Sequence, residues 1–167
     1  MDLEKLNDLP EWDDDDFNYE EEEGEEWKPN ATRDACKAMY KQWNQVMIVI
    51  NGALDSINTN TGRDSFSPEH GEDIKGMILG DAYQVAAKIK SSEAGGLYVI
   101  RMENAAIIRK NAQFIYSSML TMMMEGAIEE AHGEVIRSEI AKFRELFKMW
   151  VKTFQKDEFE DEWGLFV

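Results

Sequence analysis

The chain of 167 residues contains 34 acidic and 18 basic side chains, which gives a formal net charge of −16 at pH 7. This excess of acids disfavours unassisted nucleic-acid binding, because phosphate contacts require a basic surface. The length predicts a single domain. No apolar run approaches the roughly 18 residues of a membrane helix, and no signal-peptide pattern is present, so we expect a cytoplasmic protein. The lone Cys36 can form no intrachain disulfide.

The negative charge is concentrated at the two ends of the sequence. Residues 1–28 contain 14 acids and 2 bases, and residues 157–167 contain 5 acids and no base. Runs of like charge repel one another and remain hydrated. We therefore predict a nearly neutral folded body, residues 29–156, between two acidic and partly disordered extensions.

Two helices are predicted in the first half of the body. Apolar residues recur at steps of three and four over residues 32–57, which is the period of one helical face. The following stretch, 58–67, is rich in Asn, Thr, Ser and Gly and predicts a loop. Ser67 and Pro68 then form a helix start, with a capping hydroxyl before a proline at the first helical position. This second helix should end by about Ser92, before Gly95-Gly96.

Two further helices are predicted in the second half. A broad apolar face begins at Leu97, and a heptad seam runs from Ile136 to Phe154. We expect a break between these helices near Gly126. The alternative is one helix of about 60 residues, roughly 90 Å long at 1.5 Å per residue, that packs against a second chain. With the break, the sequence predicts an all-α, antiparallel four-helix bundle.

Two amides interrupt the apolar face of the third helix. Asn104 and Asn111 are seven residues apart, so they lie on one side of the helix. Buried amides need hydrogen-bond partners and can fix the packing register of helices. We expect both to face a helix interface, and the alternative is a ligand pocket lined by the Arg and Asn residues of this helix.

One pair of residues has metal-ligand spacing. Glu129 and His132 form an E-x-x-H pair of the kind found in ferritin-like dinuclear iron bundles. Such bundles need two of these pairs, and this sequence contains one. A carboxylate-bridged metal enzyme using Glu103, Glu129 and His132 is therefore an alternative interpretation. No nucleophile motif or phosphate-binding loop is present, so the sequence predicts no catalytic residue and no cofactor.

The acidic extensions contain the apolar side chains best suited to binding a partner. Aromatic anchors dominate interface energetics, and flanking charge steers association. In the C-terminal extension the candidates form an apolar tip that either binds a partner or packs back on the bundle. The candidates at the C-terminus are Trp163, Leu165, Phe166 and Val167, and those at the N-terminus are Trp12, Phe17 and Trp27.

Basic residues form stripes along two of the predicted helices. The first stripe consists of Arg33, Lys37 and Lys41, and the second of Arg144, Lys148 and Lys152. Spacing by four places each set on one helical face. We hypothesise that an acidic extension lies across one or both stripes, within its own chain or a neighbour's. A nucleic-acid mimic, or a nucleic-acid binder gated by the extensions, is thus a second alternative function.

The pattern as a whole favours a non-enzymatic protein-interaction or adaptor module. Its recognition segments would be the acidic, aromatic termini, and its partner another protein or a second copy of the chain. The composition indicates neither a membrane partner nor a particular small-molecule ligand.

Overall fold

The structure is a computed structural model that describes residues 9–20, 30–59 and 67–166, apart from the side chains of 18–20. The regular secondary structure of this part of the chain is entirely helical, with no strand. A short 3-10 helix, Asp14–Glu20, precedes four α-helices: α1 (Ala31–Leu54), α2 (Pro68–Ser91), α3 (Tyr98–Met124) and α4 (Glu130–Val151). The predicted all-α four-helix fold is confirmed, whereas the domain limits at 28/29 and 156/157 stay predictions.

Local side-chain chemistry sets the helix boundaries. The Asn30 side chain caps α1 by accepting a hydrogen bond from the backbone N–H of Arg33 at 3.0 Å. Ser67 caps α2 in the same way, and the helix begins at Pro68 as predicted. Gly95 and Gly96 follow α2 with φ values of 87° and 61°. Because L side chains rarely adopt such values, glycine suits both positions.

The break between α3 and α4 lies where it was predicted. Gly126 has a φ of 75°, and Ala127 N–H donates to the carbonyl of Met122 at 2.8 Å. This turn reverses the chain after Met124, and α4 begins at Glu130. The alternative of one continuous helix is therefore wrong.

The helices form an antiparallel ring in which each packs on its neighbours in sequence, and α4 also packs on α1. At one end, Thr32 Oγ1 donates to the carbonyl of Thr153 at 3.4 Å. At the other end, Asn58 N–H donates to the carbonyl of Ala127 at 2.7 Å. The end near Thr32 and Thr153 also contains the last turn of α2 and the first turn of α3, and we call it the terminal end.

Trp43 connects three helices in a core that consists mostly of Ile, Met and other aliphatic side chains. Trp43 of α1 is fully buried, its ring centroid lies 4.7 Å from that of Phe143 in α4, and its indole N–H donates to the Ala82 carbonyl at 2.8 Å. The indole therefore joins α1, α2 and α4 without leaving its polar group unpaired. No helix in the described ranges has a stretch long and apolar enough to cross a membrane.

The two amides of α3 lie at a helix interface, as the sequence predicted, and the structure shows that the partner is α2. Asn104 Nδ2 donates to Ser91 Oγ at 3.3 Å, and Asn111 Nδ2 donates to Gln84 Oε1 at 2.5 Å. Both asparagines are buried. Because the two bonds require particular residues to lie opposite one another, they help to fix the register of α2 against α3.

Candidate interaction site at the terminal end

A buried carboxylate lies at the terminal end of the bundle. Glu93 follows α2, and its side chain is only 1% exposed. Its Oε2 lies 3.5 Å from Arg101 Nη2 at the start of α3 and 3.9 Å from Arg33 Nε at the start of α1. The thiol of Cys36 is buried nearby and donates to the Ile89 carbonyl at 3.3 Å. One acid thus connects the ends of three helices.

The charges of this cluster are only loosely paired. Both Glu93–Arg distances exceed the roughly 2.7–2.9 Å of a tight charge-assisted hydrogen bond. Burial raises the pKa of Glu93, and the charges of Arg101 and then Arg33 oppose that rise. Desolvation of the carboxylate therefore outweighs the attraction of the two guanidinium groups. Burial also raises the pKa of the Cys36 thiol, which keeps it protonated at neutral pH.

The N-terminal arm, residues 9–17, lies against α1 and α2 beside this cluster. Lys37 Nζ is 2.8 Å from Asp14 Oδ2, and Lys90 Nζ is 3.6 Å from Asp16 Oδ2. The indole N–H of Trp12 donates to the other Asp14 oxygen at 2.8 Å. The hydrogen bonds from Lys37 and Trp12 lower the pKa of Asp14, which keeps this carboxylate ionised.

Aromatic and backbone contacts also hold the arm. Arg33 Nη2 donates to the Phe17 carbonyl at 3.0 Å, and its guanidinium carbon lies 5.9 Å from the centroid of the Phe17 ring. Trp12 packs between Phe17 and Tyr40, with ring centroids 4.8 and 5.6 Å away. Tyr40 donates its hydroxyl to the Pro10 carbonyl at 2.6 Å. Residues 9–17 are therefore a docked segment whose acids stay exposed, and it lies across the α1 stripe within its own chain, as hypothesised from the sequence.

The face of α1 and α2 beneath the arm is called the arm site here, and it comprises Arg33, Lys37, Tyr40 and Lys90. Lys41, the last member of the first predicted stripe, is exposed on the wall of an adjoining cavity of about 350 Å³. The candidate partner-binding residue Trp27 lies outside the described residues.

The second predicted stripe, on α4, has a different environment. Lys148 is exposed and pairs with Glu145 at 2.7 Å. The guanidinium of Arg144 lies over the ring of Tyr116, 4.9 Å from its centroid, and Lys152 is exposed just beyond the helix. Arg144 and Lys148 contact residues of α3 and α4, and in the described part of the chain the arm lies on the α1 stripe and not on this one.

The C-terminal tail, residues 157–166, extends from the same end of the bundle. Asp157 Oδ2 accepts a hydrogen bond from the backbone N–H of Tyr98 at 2.8 Å. Further along, Asp161 Oδ2 accepts from Leu165 N–H at 2.9 Å, and its carbonyl accepts from Gly164 N–H at 2.9 Å. These bonds close a turn around Trp163.

This turn presents apolar side chains to solvent. Trp163 is 89% exposed, Leu165 is 55% exposed, and Phe159 and Phe166 are also exposed. The structure thus does not place Trp163 against the bundle, which was the alternative to partner binding. Val167, the remaining candidate of the tip, lies outside the described residues.

The three candidate metal ligands are not brought together. Glu103 lies near the start of α3, whereas Glu129 and His132 lie at the start of α4, next to the end of α3. The length of α3 separates the two positions by roughly 30 Å. Within the described ranges, no group of three or more His, Cys, Asp or Glu side chains is placed to hold a metal ion.

Sequence patterns identified part of this site. They marked the α1 stripe, Trp12 and Phe17, but they missed Glu93 and the lysine of α2, Lys90. In the sequence, Glu93 can be recognised only as an acid that follows the end of a helix and precedes the pair Gly95-Gly96. Such an acid is normally exposed, and its burial depends on arginines from two other helices.

Comparison of the chain with protein-family models, curated proteins and solved structures finds no match in any of the three.

Proposed function

We propose that this protein is a non-enzymatic interaction or adaptor module that binds a protein partner through its C-terminal tail. The observation that carries the proposal is the 89% exposure of Trp163 on a hydrogen-bonded turn anchored to α3. Large aromatic side chains are the commonest anchors of protein interfaces. An anchor that is already held in a turn loses less conformational entropy on binding.

The surroundings of Trp163 support the same function. Burial of this side chain in a partner's pocket would contribute roughly 2–3 kcal/mol, and Leu165 and Phe166 would add to the buried area. The tail also contains five acids and no base. These charges would accelerate encounter with a basic surface, and salt would weaken that effect.

The proposal includes a cytoplasmic location. Cys36 is a buried free thiol, and a reducing compartment preserves such a group. Imaging of a fluorescent fusion in its native cell would test the location, and a signal confined to another compartment would contradict it.

Comparative affinity capture tests the function. Intact protein, Trp163→Ala and Met149→Ala are immobilised equally, and captured proteins are quantified and then titrated as purified components. Met149 is a suitable control because it is 60% exposed on α4, outside the tail. We expect a purified partner to bind the intact protein and the control alike, and Trp163→Ala to bind about thirtyfold or more weakly. Equal affinity for all three, at equal stability, would exclude the tail as the recognition segment.

A further inference from the structure

The arm site recognises a definite chemical pattern. Lys37 and Lys90 each approach a carboxylate of the arm, Asp14 and Asp16 respectively, and Tyr40 packs on an aromatic ring. In the arm, Trp12 and Phe17 flank an unbroken run of four aspartates. The ligand of this site is therefore an acidic run between two aromatic side chains.

The C-terminal tail also carries an acidic run between two aromatic residues, with Phe and Trp in the reverse order. Phe159 and Trp163 flank Glu160, Asp161 and Glu162, three acids in place of four. Phe159 and Trp163 are both exposed, whereas Phe17 of the docked arm is only 9% exposed. The tail is thus a second segment with the chemistry that the arm site binds, and in this structure it is not bound there.

Ligand and site also lie at the same end of the molecule. Asp157 anchors the tail to the first residue of α3, while the arm site lies at the start of α1 and the last turn of α2. Two copies that meet end to end about a twofold axis could therefore exchange tails reciprocally. Each tail would occupy the partner's arm site, which is the self-complementary arrangement of a twofold dimer.

We propose that the arm site is a receptor for acidic, aromatic segments and that its ligand is the C-terminal tail of a second copy of this chain. The inference rests on the proposed role of the tail in recognition and names its partner. The N-terminal arm occupies the receptor within its own chain. An attached segment competes with a tail from a second copy at an effective concentration in the millimolar range. The docked arm therefore limits self-association.

The observations favour a peptide ligand over a nucleic acid. Two carboxylates and an aromatic pair already fill the site, and Arg33 donates to a peptide carbonyl of the arm. If the arm site instead bound polyanions, heparin would compete with the peptide, and the test below includes that outcome.

The test uses full-length protein and a fluorescent peptide with the sequence of residues 157–167. In the arm variant, Asp14→Asn, Asp16→Asn and Phe17→Ala weaken the docked segment. In the site variant, Lys37→Glu and Lys90→Glu also release the arm but reverse the charge of the receptor. Fluorescence anisotropy measures peptide affinity, and Lys148→Glu, on the exposed face of α4, controls for a general change in charge.

We expect the arm variant to bind the peptide about tenfold or more tightly than the intact protein, because its attached competitor is weakened. The site variant should lose binding although its arm is also released, and Lys148→Glu should bind like the intact protein. A peptide with Phe159→Ala and Trp163→Ala keeps every charge and should bind at least about tenfold more weakly. Sedimentation of the arm variant should show a concentration-dependent dimer that Trp163→Ala abolishes.

Several results would overturn the inference. Peptide affinity could be equal in the arm variant and the intact protein, or the site variant could bind as well as the arm variant. Equal binding of the aromatic-free peptide, together with displacement by heparin, would assign the site to polyanions instead. If the peptide fails to bind while Trp163→Ala still loses a purified heterologous partner, the receptor inference fails and the proposed function stands.

Discussion

Asp157 caps a helix that begins 59 residues earlier in the chain: its Oδ2 accepts a hydrogen bond from the backbone N–H of Tyr98 at 2.8 Å. The residue at the N-cap position of α3 is Leu97, whose side chain makes no capping bond. The first turn of a helix has backbone donors without intrahelical partners, and Asp157 satisfies one of them. The stability of α3 and the position of the tail are therefore coupled.

Removal of this cap should destabilise the protein by a moderate amount. We expect Asp157→Ala to lower the free energy of unfolding by about 1 kcal/mol, as is usual for a lost N-cap, measured by urea denaturation. A local cap introduced by Leu97→Asp should make Asp157→Ala nearly neutral. An equal cost of Asp157→Ala with and without Leu97→Asp would show that the cap is not the source of the effect.

The two sides of the buried ion cluster should respond differently to mutation. Arg101→Met should cost roughly 3 kcal/mol, because Glu93 would remain buried with less compensating charge. Glu93→Gln should cost less than about 1 kcal/mol, since Arg33 and Arg101 keep bonds to the carbonyls of Phe17 and Gly96. Chemical denaturation at neutral pH measures both, and a larger cost for Glu93→Gln would contradict this ranking.

The same cluster should affect the pH dependence of stability. Because the pKa of Glu93 is raised above its ordinary value of 4.5, the native state binds more protons than the unfolded state above that pH. The contribution of protonated Glu93 to the free energy of unfolding is fully present below pH 4.5 and is lost as the pH rises through the raised pKa. Over that pH interval the wild type should lose stability relative to Glu93→Gln. If the free energies of unfolding of the two proteins changed in parallel with pH, Glu93 would not be the source of the pH dependence.

The N-terminal arm should detach in acid. The pKa of Asp14 is lowered below its ordinary value of 3.8, so its contribution to docking is present above 3.8 and is lost as the pH falls through the lowered pKa. The NMR signal of the Trp12 indole N–H, which donates to Asp14, should shift over this interval. The exposed Trp163 indole provides the internal reference, and Asp14→Asn should remove the transition at Trp12.

Two helical glycines should respond oppositely to alanine. A Cβ at Gly80 of α2 meets no atom within 4 Å, so Gly80→Ala should stabilise the protein by about 0.5–1 kcal/mol. A Cβ at buried Gly133 of α4 would overlap Sδ and Cγ of Met123, and Gly133→Ala should destabilise by about 1 kcal/mol. Adding Met123→Ala should make Gly133→Ala favourable, and the absence of this coupling in a double-mutant cycle would exclude the overlap.

Features that depend on local chemistry could be predicted from the sequence. Ser67 and Pro68 start a helix because one supplies an acceptor and the other lacks a donor, whatever the rest of the chain does. Gly126 likewise ends α3 because its φ of 75° suits glycine. The burial of Asn111 followed from its place on an apolar helical face. These signals lie within a few residues of the structure that they determine.

Features that depend on distant contacts could not be predicted in detail. Glu93 reads as an exposed acid, and only the convergence of Arg33 and Arg101 makes its burial tolerable. Phe17 lies among acids that favour solvent, yet Arg33 and Trp12 bury it. The separation of the metal candidates, in contrast, follows from the predicted helix limits, which place Glu103 near the start of α3 and Glu129 beyond its end.

The burial of Cys36 makes this residue a natural probe of local opening in the bundle. The thiol lies at the terminal end with no solvent exposure, and its raised pKa leaves almost no thiolate in the closed state. An alkylating reagent can therefore reach it only when the helix ends separate, so the rate of labelling reports the frequency of that opening. Since the lone cysteine contacts the last turn of α2 through the Ile89 carbonyl, a single mass measurement follows the opening of the terminal end of the bundle.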